Sequence, residues 1–325
     1  MTSPRKPLDI GRAEIEQGVA IVRPLVPITA CISWPQLNAL AGCEVWVKHE
    51  NHTPIGAFKI RGGLTYLHTL ARSRTRVRGV VTGTRGNHGQ SVALAAAQHG
   101  LRATIVVPTG NSVEKNAAMR AFGANVIEHG ADFQAALEHA TRLAEDDDLH
   151  FVPAFDRQLV TGVATYGWEL FQQQPELDAV YVPIGLGSGI CGTLAARAAL
   201  RKSVPIIGVV AEAAPAYARS FEAHAPVQAP VAETVADGVA CRTPNEEALA
   251  VILDGVEGIV PVPEDDVRAA MRCYYTATHN VAEGAGALAL AAVLAERPAR
   301  ARKIAVVLSG SNVDWPVLSR VFSAA

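Results

Sequence analysis

The sequence predicts an α/β protein of two lobes, in which parallel sheets are flanked by helices. Short runs rich in Val and Ile alternate with Ala-rich stretches of helical spacing between residues 78 and 148. The same alternation returns between residues 161 and 310. Because parallel strands need a crossover connection, such alternation is typical of parallel sheets covered by helices on both faces. The length of 325 residues favours two lobes over one hydrophobic core.

In the first block, strand and helix signals follow each other without a gap. The predicted strands lie at 78–84, 101–108 and 124–130, and the predicted helices at 88–100, 112–123 and 132–148. Gly100 and Gly123 end two of these helices, since glycine readily adopts the left-handed conformation of a helix C-terminus. The acidic run at 145–148 and the segment that follows it mark the expected crossing between the lobes.

The second block continues the pattern over longer intervals. Its predicted strands lie at 178–185, 204–212 and 302–310, and its predicted helices at 161–174, 191–202, 264–280 and 283–298. The segment 213–262 is richer in proline and lacks clean periodicity. We therefore expect loops and short elements there, packed on the second lobe.

Composition excludes several classes of protein. A net charge of −2 and a pI near 6.6 give no attraction for nucleic acid or for an anionic membrane. No apolar run reaches the roughly 20 residues that span a bilayer, and the first residues lack the apolar segment of a secretory signal. The 5 cysteines are scattered, without the spacing of a zinc or redox site. We expect free thiols and a cytoplasmic location.

Two glycine-rich segments each join a predicted strand to a predicted helix, at 82–91 and 182–192. Helix N-termini and glycine-rich backbone bind anions through amide groups. In the second segment, Ser188 and the glycines at 185, 187 and 189 predict a phosphate-binding loop. An ordinary turn and a dinucleotide-binding loop remain alternatives, although Glu212 only loosely offers the acid that would bind a ribose. The absence of a GK[ST] sequence excludes a P-loop.

Lys59 stands between apolar residues in the segment "PIGAFKIRGG", with Gly56, Gly62 and Gly63 around it. Burial lowers the pKa of a lysine, and the neutral amine can form a Schiff base with an aldehyde. A phosphate-binding loop elsewhere in the chain would bind the other end of an aldehyde cofactor, as in pyridoxal 5′-phosphate enzymes. Glycines would let the backbone approach a flat ring. A helical lysine whose amine reaches solvent is the alternative.

Motifs along nearly the whole chain resemble one enzyme family. The segments "GAFKIRGG", "GNHGQSVA", "VPIGLGSG", "ADGVA", "EGAGALALAA" and "LSGSNVD" occur in this order within residues 45–315. Together they are similar to the motifs of the serine/threonine dehydratases, whose relatives include serine racemase and threo-3-hydroxyaspartate dehydratase. The resemblance implies a pyridoxal-phosphate enzyme of the tryptophan-synthase β-like fold, also called fold type II.

The resemblance also implies residue roles. Lys59 matches the lysine that holds the cofactor covalently and removes the α-proton. The matching cofactor-binding residues are Phe58, Asn87, Gly185, Leu186, Gly187, Ser188, Gly189, Glu283 and Ser309. The loop that receives the substrate carboxylate corresponds to Thr84, Arg85, Gly86, Asn87 and His88. Asp237, in the motif "ADGVA", is interpreted as a turn-forming residue.

The family's domain arrangement gives further expectations. Residues 1–50 and 151–325 would form a large cofactor-binding domain, and residues 51–150 a small domain that closes over the substrate. The implied reaction dehydrates and deaminates a β-hydroxy amino acid of the threonine, serine or 3-hydroxyaspartate type to a 2-oxo acid and ammonia. The alternatives are an amino-acid racemase, a β-replacement enzyme and, from another class, a nicotinamide-dependent dehydrogenase. We expect a homodimer with a small-molecule substrate.

The chain departs from the family in ways that bear on function. Arg85 stands where racemases carry a serine as second base; arginine is a poor base, so racemisation is predicted to be weak or absent. Arg85 would pair with a carboxylate on a substrate side chain or turn to solvent. Some relatives bind a divalent cation at the positions that correspond to Glu212, Ala216 and Ala218. Glu212 is the only carboxylate among these three, and one carboxylate provides too few ligands for Mg²⁺ or Ca²⁺, so no metal is expected.

Overall fold

The computed structural model describes residues 8–73, 77–297 and 302–323, and its strands form two sheets. The strands are β1 (Cys31–Ser33), β2 (Glu44–His49), β3 (Val80–Gly83), β4 (Ala103–Val107), β5 (Asn125–Glu128), β6 (His150–Phe151), β7 (Ala179–Pro183), β8 (Ile206–Ala211), β9 (Gly258–Val262) and β10 (Lys303–Leu308). A 6-stranded sheet has the order β1-β2-β10-β7-β8-β9, and a 4-stranded sheet has the order β5-β4-β3-β6. Every pairing is parallel except that of β1 with β2.

Helices connect the strands and cover the sheets. They are α1 (Arg12–Val22), α2 (Pro35–Ala41), α3 (Lys59–Arg72), α4 (Asn87–Ala97), α5 (Val113–Ala121), α6 (Phe133–Asp146), α7 (Arg157–Gln173), α8 (Ser188–Ala199), α9 (Ala216–Ala223), α10 (Glu246–Gly255), α11 (Glu264–Thr278), α12 (Gly284–Glu296) and α13 (Trp315–Ser323). Single 3₁₀ turns lie at Glu50–His52 and Asp237–Val239. The central strands β3 and β7 are buried at every residue, which explains their continuous apolar runs.

The predicted α/β alternation is confirmed in both blocks. Each strand and helix predicted from the pattern has a counterpart, usually shorter by a few residues at its ends. Residue 298, the last of the helix predicted at 283–298, lies outside the described residues. The predicted domain bounds, 1–50 with 151–325 and 51–150, stay a prediction. The strands of the smaller sheet all come from residues 80–151, and β2, which precedes them in the chain, pairs with β10 in the larger sheet.

Residues 213–262 hold more regular structure than the sequence predicted. They contain the ten-residue helix α10 and the strand β9, which pairs with β8. The sequence pattern did not predict this strand because Pro261 lies inside it. A proline is tolerated there because β9 is an edge strand of the larger sheet, so one side of it needs no donor.

The glycines after Lys59 serve helix packing, not approach to a ring as predicted. A Cβ atom at Gly62 would lie 2.7 Å from the Leu159 oxygen on α7, and one at Gly63 would lie 2.2 Å from Ser91 Oγ on α4. Gly162 faces α3 in the same way, 2.2 Å from the Arg61 oxygen. Helix α3 therefore packs against both neighbours at a distance that only glycine permits.

No helix among the described residues has the length and apolar character needed to cross a bilayer.

Candidate active site

A pocket of about 740 Å³ lies where the ends of β3, β7 and β10 meet. Its lining includes residues from both sheets and from the loops that follow these strands. Ligands of parallel sheets bind at the carboxyl ends of strands, beside helix N-termini, so this is the position expected for a site. The structure brings every predicted site residue to this pocket: Phe58, Lys59, Thr84, Arg85, Gly86, Asn87, His88, Gly185, Leu186, Gly187, Ser188, Gly189, Glu283 and Ser309.

Lys59 is the first residue of α3 and projects into the pocket. Its Nζ donates a hydrogen bond to Ser188 Oγ at 3.2 Å and lies 5.2 Å from the centre of the Phe58 ring. In the described part of the chain no carboxylate forms an ion pair with it. Burial lowers the pKa of Lys59 to about 8, because nothing compensates the lost hydration of the charged form. About a tenth of this amine is then neutral at pH 7, and the neutral fraction rises with pH.

The backbone around Lys59 is fixed by both lobes. The Phe58 amide donates to the Ser309 oxygen at 3.0 Å, and Ala57 forms a bridge with Gly310 after β10. From α4, Ser91 Oγ donates to the Lys59 carbonyl oxygen at 2.7 Å. Lys59 thus has little freedom to move its Cα, and its side chain starts from a defined point.

Residues 184–187 form the turn between β7 and α8, and Ser188 and Gly189 are the first residues of α8. Gly187 has φ +99°, and a Cβ there would lie 2.6 Å from the Ala248 Cβ, so only glycine fits. The first amides of α8 have no acceptor within the helix, and they are available to an anion. Tyr217 donates to the Leu186 oxygen at 3.0 Å and Tyr166 to the Gly189 oxygen at 2.7 Å, which holds the loop in shape.

Asn87 and Glu283 meet at the pocket wall. Asn87 Nδ2 donates to Glu283 Oε1 at 2.7 Å. Burial raises the pKa of Glu283 to about 7, although Lys115 opposes this shift. Glu283 Oε2 is buried and has no hydrogen-bond partner among the described residues. An unpartnered buried oxygen is costly, and its presence beside the pocket fits a polar ligand.

The first turn of α4 contributes a neutral histidine, and the loop before it contributes an exposed arginine. His88 is buried, and burial together with Lys59 lowers its pKa to about 3, so that it carries no charge. Its Nε2 is another buried atom without a partner in the described chain. Thr84 Oγ1 accepts a hydrogen bond from the Gly86 amide at 3.1 Å. Arg85 lines the pocket, is exposed and forms no ion pair with any described residue.

Lys115 was not among the predicted site residues, and Asp237, interpreted as a turn-forming residue, does lie in a 3₁₀ turn and also pairs with Lys115. Lys115 on α5 is buried, and its Nζ lies 2.7 Å from Asp237 Oδ2 in the 3₁₀ turn. Although burial opposes the charged form, the carboxylates of Asp237 and Glu283 raise the pKa of Lys115. The segment around Lys115 resembles an ordinary surface helix, and only the motif "ADGVA" offered a signal, for Asp237 alone.

The residues considered for a metal do not gather into a ligand set. Among the described residues no group of three or more His, Cys, Asp and Glu side chains could hold an ion. Glu212 follows β8 and is exposed, with the apolar Ala216 and Ala218 beyond it. That the protein needs no metal stays a prediction.

The donor set fits pyridoxal 5′-phosphate in its chemistry. A partly neutral amine can bind an aldehyde, and it lies beside Ser188 at the start of a helix whose free amides suit a phosphate. Glu283 Oε2 and His88 Nε2 supply further unpartnered polar atoms around the pocket.

Comparisons with known proteins agree with this chemistry. The family described as pyridoxal-phosphate dependent enzyme matches residues 22–310. The L-threonine ammonia-lyase of Thermotoga maritima is 33% identical over 311 residues, which are 95% of this chain and 77% of that protein. The L-threonine ammonia-lyase of Geobacter sulfurreducens is 36% identical over 282 residues, 86% of this chain and 70% of that protein. The chain spans 62% of the biosynthetic L-threonine dehydratase of Salmonella typhimurium.

Solved structures show the same fold. Maize serine racemase superimposes with a TM-score of 0.89 at 28% identity, covering 97% of this chain and 98% of that one. Threonine deaminase isoform 2 of Solanum lycopersicum gives 0.88 at 30% identity, covering 98% and 96%. The predicted tryptophan-synthase β-like fold and the predicted cofactor are confirmed, and the relatives support the class of pyridoxal-phosphate-dependent ammonia-lyases. The chain therefore belongs to the pyridoxal-phosphate-dependent enzyme family.

Proposed function

We propose that this protein dehydrates and deaminates a β-hydroxy amino acid of the threonine or serine type to a 2-oxo acid and ammonia. The observation that carries the proposal is the environment of Lys59. Its amine has a lowered pKa, no carboxylate partner among the described residues, and a position 3.2 Å from Ser188 Oγ at the start of α8. An amine of this kind can bind an aldehyde and exchange a proton near neutral pH.

In the proposed site, Lys59 both binds the cofactor and moves a proton. Pyridoxal phosphate supplies the electron sink that weakens the bond between the substrate's α-carbon and its hydrogen. The Nζ of Lys59, once free and neutral, accepts that proton. The amides of residues 185–189 and the hydroxyl of Ser188 would hold the phosphate, and the Phe58 ring would pack beside the cofactor.

The remaining cofactor contacts come from residues on the far side of the pocket. Asn87 would donate a hydrogen bond to the ring oxygen, and its Nδ2 also donates to Glu283 Oε1 at 2.7 Å. Ser309, directly after β10, would face the pyridine nitrogen. A hydroxyl there would leave that nitrogen largely unprotonated, whereas a carboxylate would stabilise its charged form.

The loop of residues 84–88 would receive the substrate's carboxylate. It leads into the N-terminus of α4, where free amides favour an anion. Thr84, Gly86 and Asn87 present short polar or backbone groups, and His88 is neutral at physiological pH. These properties suit orientation of a carboxylate better than acid–base catalysis.

Arg85 supports a finer proposal about the substrate. Its exposed guanidinium lines the pocket without an ion-pair partner among the described residues. Such a group pairs readily with a carboxylate in a bidentate manner. We therefore include substrates with an acidic side chain, of the 3-hydroxyaspartate type. A racemase is the second candidate, because maize serine racemase shares the fold, but arginine at position 85 is a poor second base.

Product analysis separates these functions. Purified protein is incubated with threonine, serine and 3-hydroxyaspartate, and 2-oxo acid, ammonia and inverted amino acid are measured for wild type, Lys59→Ala and Arg85→Ala. The proposal expects equal amounts of 2-oxo acid and ammonia, and none from Lys59→Ala. An inverted amino acid as main product would contradict it. Loss of kcat/KM in Arg85→Ala on the acidic substrate alone supports the pairing, and equal loss on all three substrates rules it out.

The proposed setting is a homodimer in a reducing cytoplasm. All 5 cysteines of the chain are free thiols, with Cys191 buried and the others partly so. Burial raises the pKa of the Cys31 thiol to about 11, so this side chain is protonated and unreactive at neutral pH. Light scattering on the purified protein tests the dimer, for which a monomeric mass at all concentrations is the contrary result.

A further inference from the structure

We propose that Asn312 sets the orientation of the Asn87 side-chain amide, so that Asn87 presents its NH₂ group to the pocket. Asn312 lies in the loop after β10, three residues beyond Ser309. It is a positioning residue, since it acts through Asn87. The inference rests on the proposed function, in which Asn87 donates to the cofactor's ring oxygen. It gives a role to Asn312, which has none in the proposed function.

Both protons of the Asn312 NH₂ group are used. Nδ2 donates to the Ile55 carbonyl oxygen at 2.7 Å and to Asn87 Oδ1 at 2.8 Å. A backbone carbonyl can only accept, so the Ile55 oxygen fixes which end of the Asn312 amide is the nitrogen. That fixed nitrogen then requires an acceptor from Asn87. The Ile55 carbonyl oxygen thus determines which group donates and which accepts in each of these hydrogen bonds.

The hydrogen bond from Asn312 determines the orientation of the Asn87 side-chain amide. Because Oδ1 accepts from Asn312, Nδ2 points the other way and donates to Glu283 Oε1 at 2.7 Å. The second Nδ2 proton has no acceptor among the described residues and remains available to a ligand in the pocket. A donor there stabilises a negatively charged ring oxygen, and a carbonyl oxygen in the same place would repel it.

Asn312 also ties this amide to the segment that carries Lys59. The Ser311 amide donates to the Gly56 oxygen at 2.9 Å, and Gly56 has φ +68°. A Cβ at Gly56 would lie 2.8 Å from Asn312 Oδ1, so the two segments touch closely. The Asn312 side chain therefore connects the segment before Lys59, the loop after β10 and the first residue of α4.

Without the Asn312 side chain, the Asn87 amide could exchange the positions of its oxygen and nitrogen. The exchanged oxygen would face Glu283, so this orientation requires a protonated Glu283 that can donate a hydrogen bond. The groups that face Glu283 are Lys115 from α5, Asp237 from the 3₁₀ turn, Asn87 from α4 and the backbone amide of Asn312. Because the pKa of Glu283 is raised to about 7, its carboxyl is protonated below that pH and can donate to a turned Asn87. Above it, two oxygens would face each other. The loss of Asn312 should therefore make the orientation depend on pH.

The test compares wild-type holoenzyme with Asn312→Ala, Asn312→Asp and the control Ser311→Ala. Ser311 lies in the same loop, and among the described residues its hydroxyl donates only to the Gly56 oxygen, at 3.4 Å. The measurements are the dissociation constant of pyridoxal phosphate, the visible absorbance of the bound cofactor across the neutral pH range, and kcat and KM. Circular dichroism establishes that each variant is folded.

The expected result is cofactor binding weakened about tenfold in Asn312→Ala, as for the loss of one hydrogen bond to a charged group, with an absorbance transition near neutral pH that wild type lacks. Asn312→Asp should bind more weakly still, because its carboxylate accepts from Asn87 and holds the turned amide. Folded variants whose binding and pH titration match wild type would overturn the inference. So would equal effects in Ser311→Ala. Wild type that binds no cofactor would overturn the proposed function along with it.

Discussion

Lys115 of α5 and Asp237 of the 3₁₀ turn form an ion pair across the pocket, with 2.7 Å between Nζ and Oδ2. Lys115 follows a strand of the smaller sheet, whereas Asp237 lies between strands of the larger one. Nearby, the Trp315 amide donates to Glu114 Oε1 at 2.8 Å, and Ser112 donates to Asp314. The N-terminal turn of α5 therefore contributes several contacts between elements of the two sheets beside the pocket.

Replacing Lys115 should loosen this contact. In Lys115→Met the aliphatic stem that packs on Gly86 remains and the charge is lost. The Asp237 side chain is 37% exposed, so screening leaves the pair worth roughly 1 kcal/mol, and we expect KM to rise about fivefold. Hydrogen exchange of the α5 amides should become faster. Arg120→Met is the control, because Arg120 pairs with Glu128 on the exposed face of α5. Equal exchange and KM in both variants would contradict the role of Lys115.

The free energy of unfolding should depend on the protonation of Glu283. Its pKa is raised from 4.5 to about 7, so the folded protein binds more protons than the unfolded chain between these values. Stability from this group is therefore present at the lower pH and is lost as the pH rises through about 7. In urea unfolding of cofactor-free protein, Glu283→Gln should lack this loss, which is on the order of 3 kcal/mol. Parallel pH profiles for wild type and Glu283→Gln would exclude the buried protonated carboxyl.

A buried charge network under α3 should dominate stability. Arg61 is fully buried between Glu50, at 2.7 Å, and Glu169, at 2.9 Å. Arg61→Met leaves these buried carboxylates short of a partner and should cost about 3–5 kcal/mol. Arg12→Met removes an exposed pair with Glu16 and should change stability by less than about 1 kcal/mol. Equal unfolding midpoints for the two variants would contradict this account.

The rate of cofactor uptake should rise with pH through the pKa of Lys59. Below about 8 most of this amine is charged and cannot attack an aldehyde, and above it most is neutral. Stopped-flow absorbance after mixing cofactor-free protein with pyridoxal phosphate measures the rate. The control is pyridoxine phosphate, which lacks the aldehyde and should bind without this dependence. A rate for the aldehyde that does not change over this range would mean that the Lys59 amine is not the limiting group.

Local patterns predicted much of the fold, and distant contacts explain what they missed. Strands such as β3 and β7 are buried on both faces, so their sequences are continuous apolar runs, and the glycines after helices mark the helix ends. The strand β9 was not predicted because Pro261 argues against a strand when the sequence is considered alone. A proline is excluded only from a central strand, and the edge position of β9 follows from the strand order of the whole sheet.

The site residues also fall into two groups, those with a local signal in the sequence and those without one. Lys59 and the loop at 185–189 were found because a lysine among apolar residues and a glycine-rich turn are local signals. The burial of Lys115, the polarity that Asn312 gives to Asn87 and the packing role of Gly62 arise between residues far apart in the chain. No window of sequence contains both partners of these contacts.

The most direct test of the account is to locate the bound cofactor on the chain. Wild-type protein is incubated with pyridoxal phosphate, reduced with borohydride, digested and analysed by mass spectrometry, with Lys59→Ala and Lys115→Ala treated in parallel. We expect a reduced adduct on Lys59 in wild type and in Lys115→Ala, and none in Lys59→Ala. An adduct on a different lysine, or a wild-type protein that carries no adduct, would contradict the assignment of Lys59 as the cofactor-binding amine.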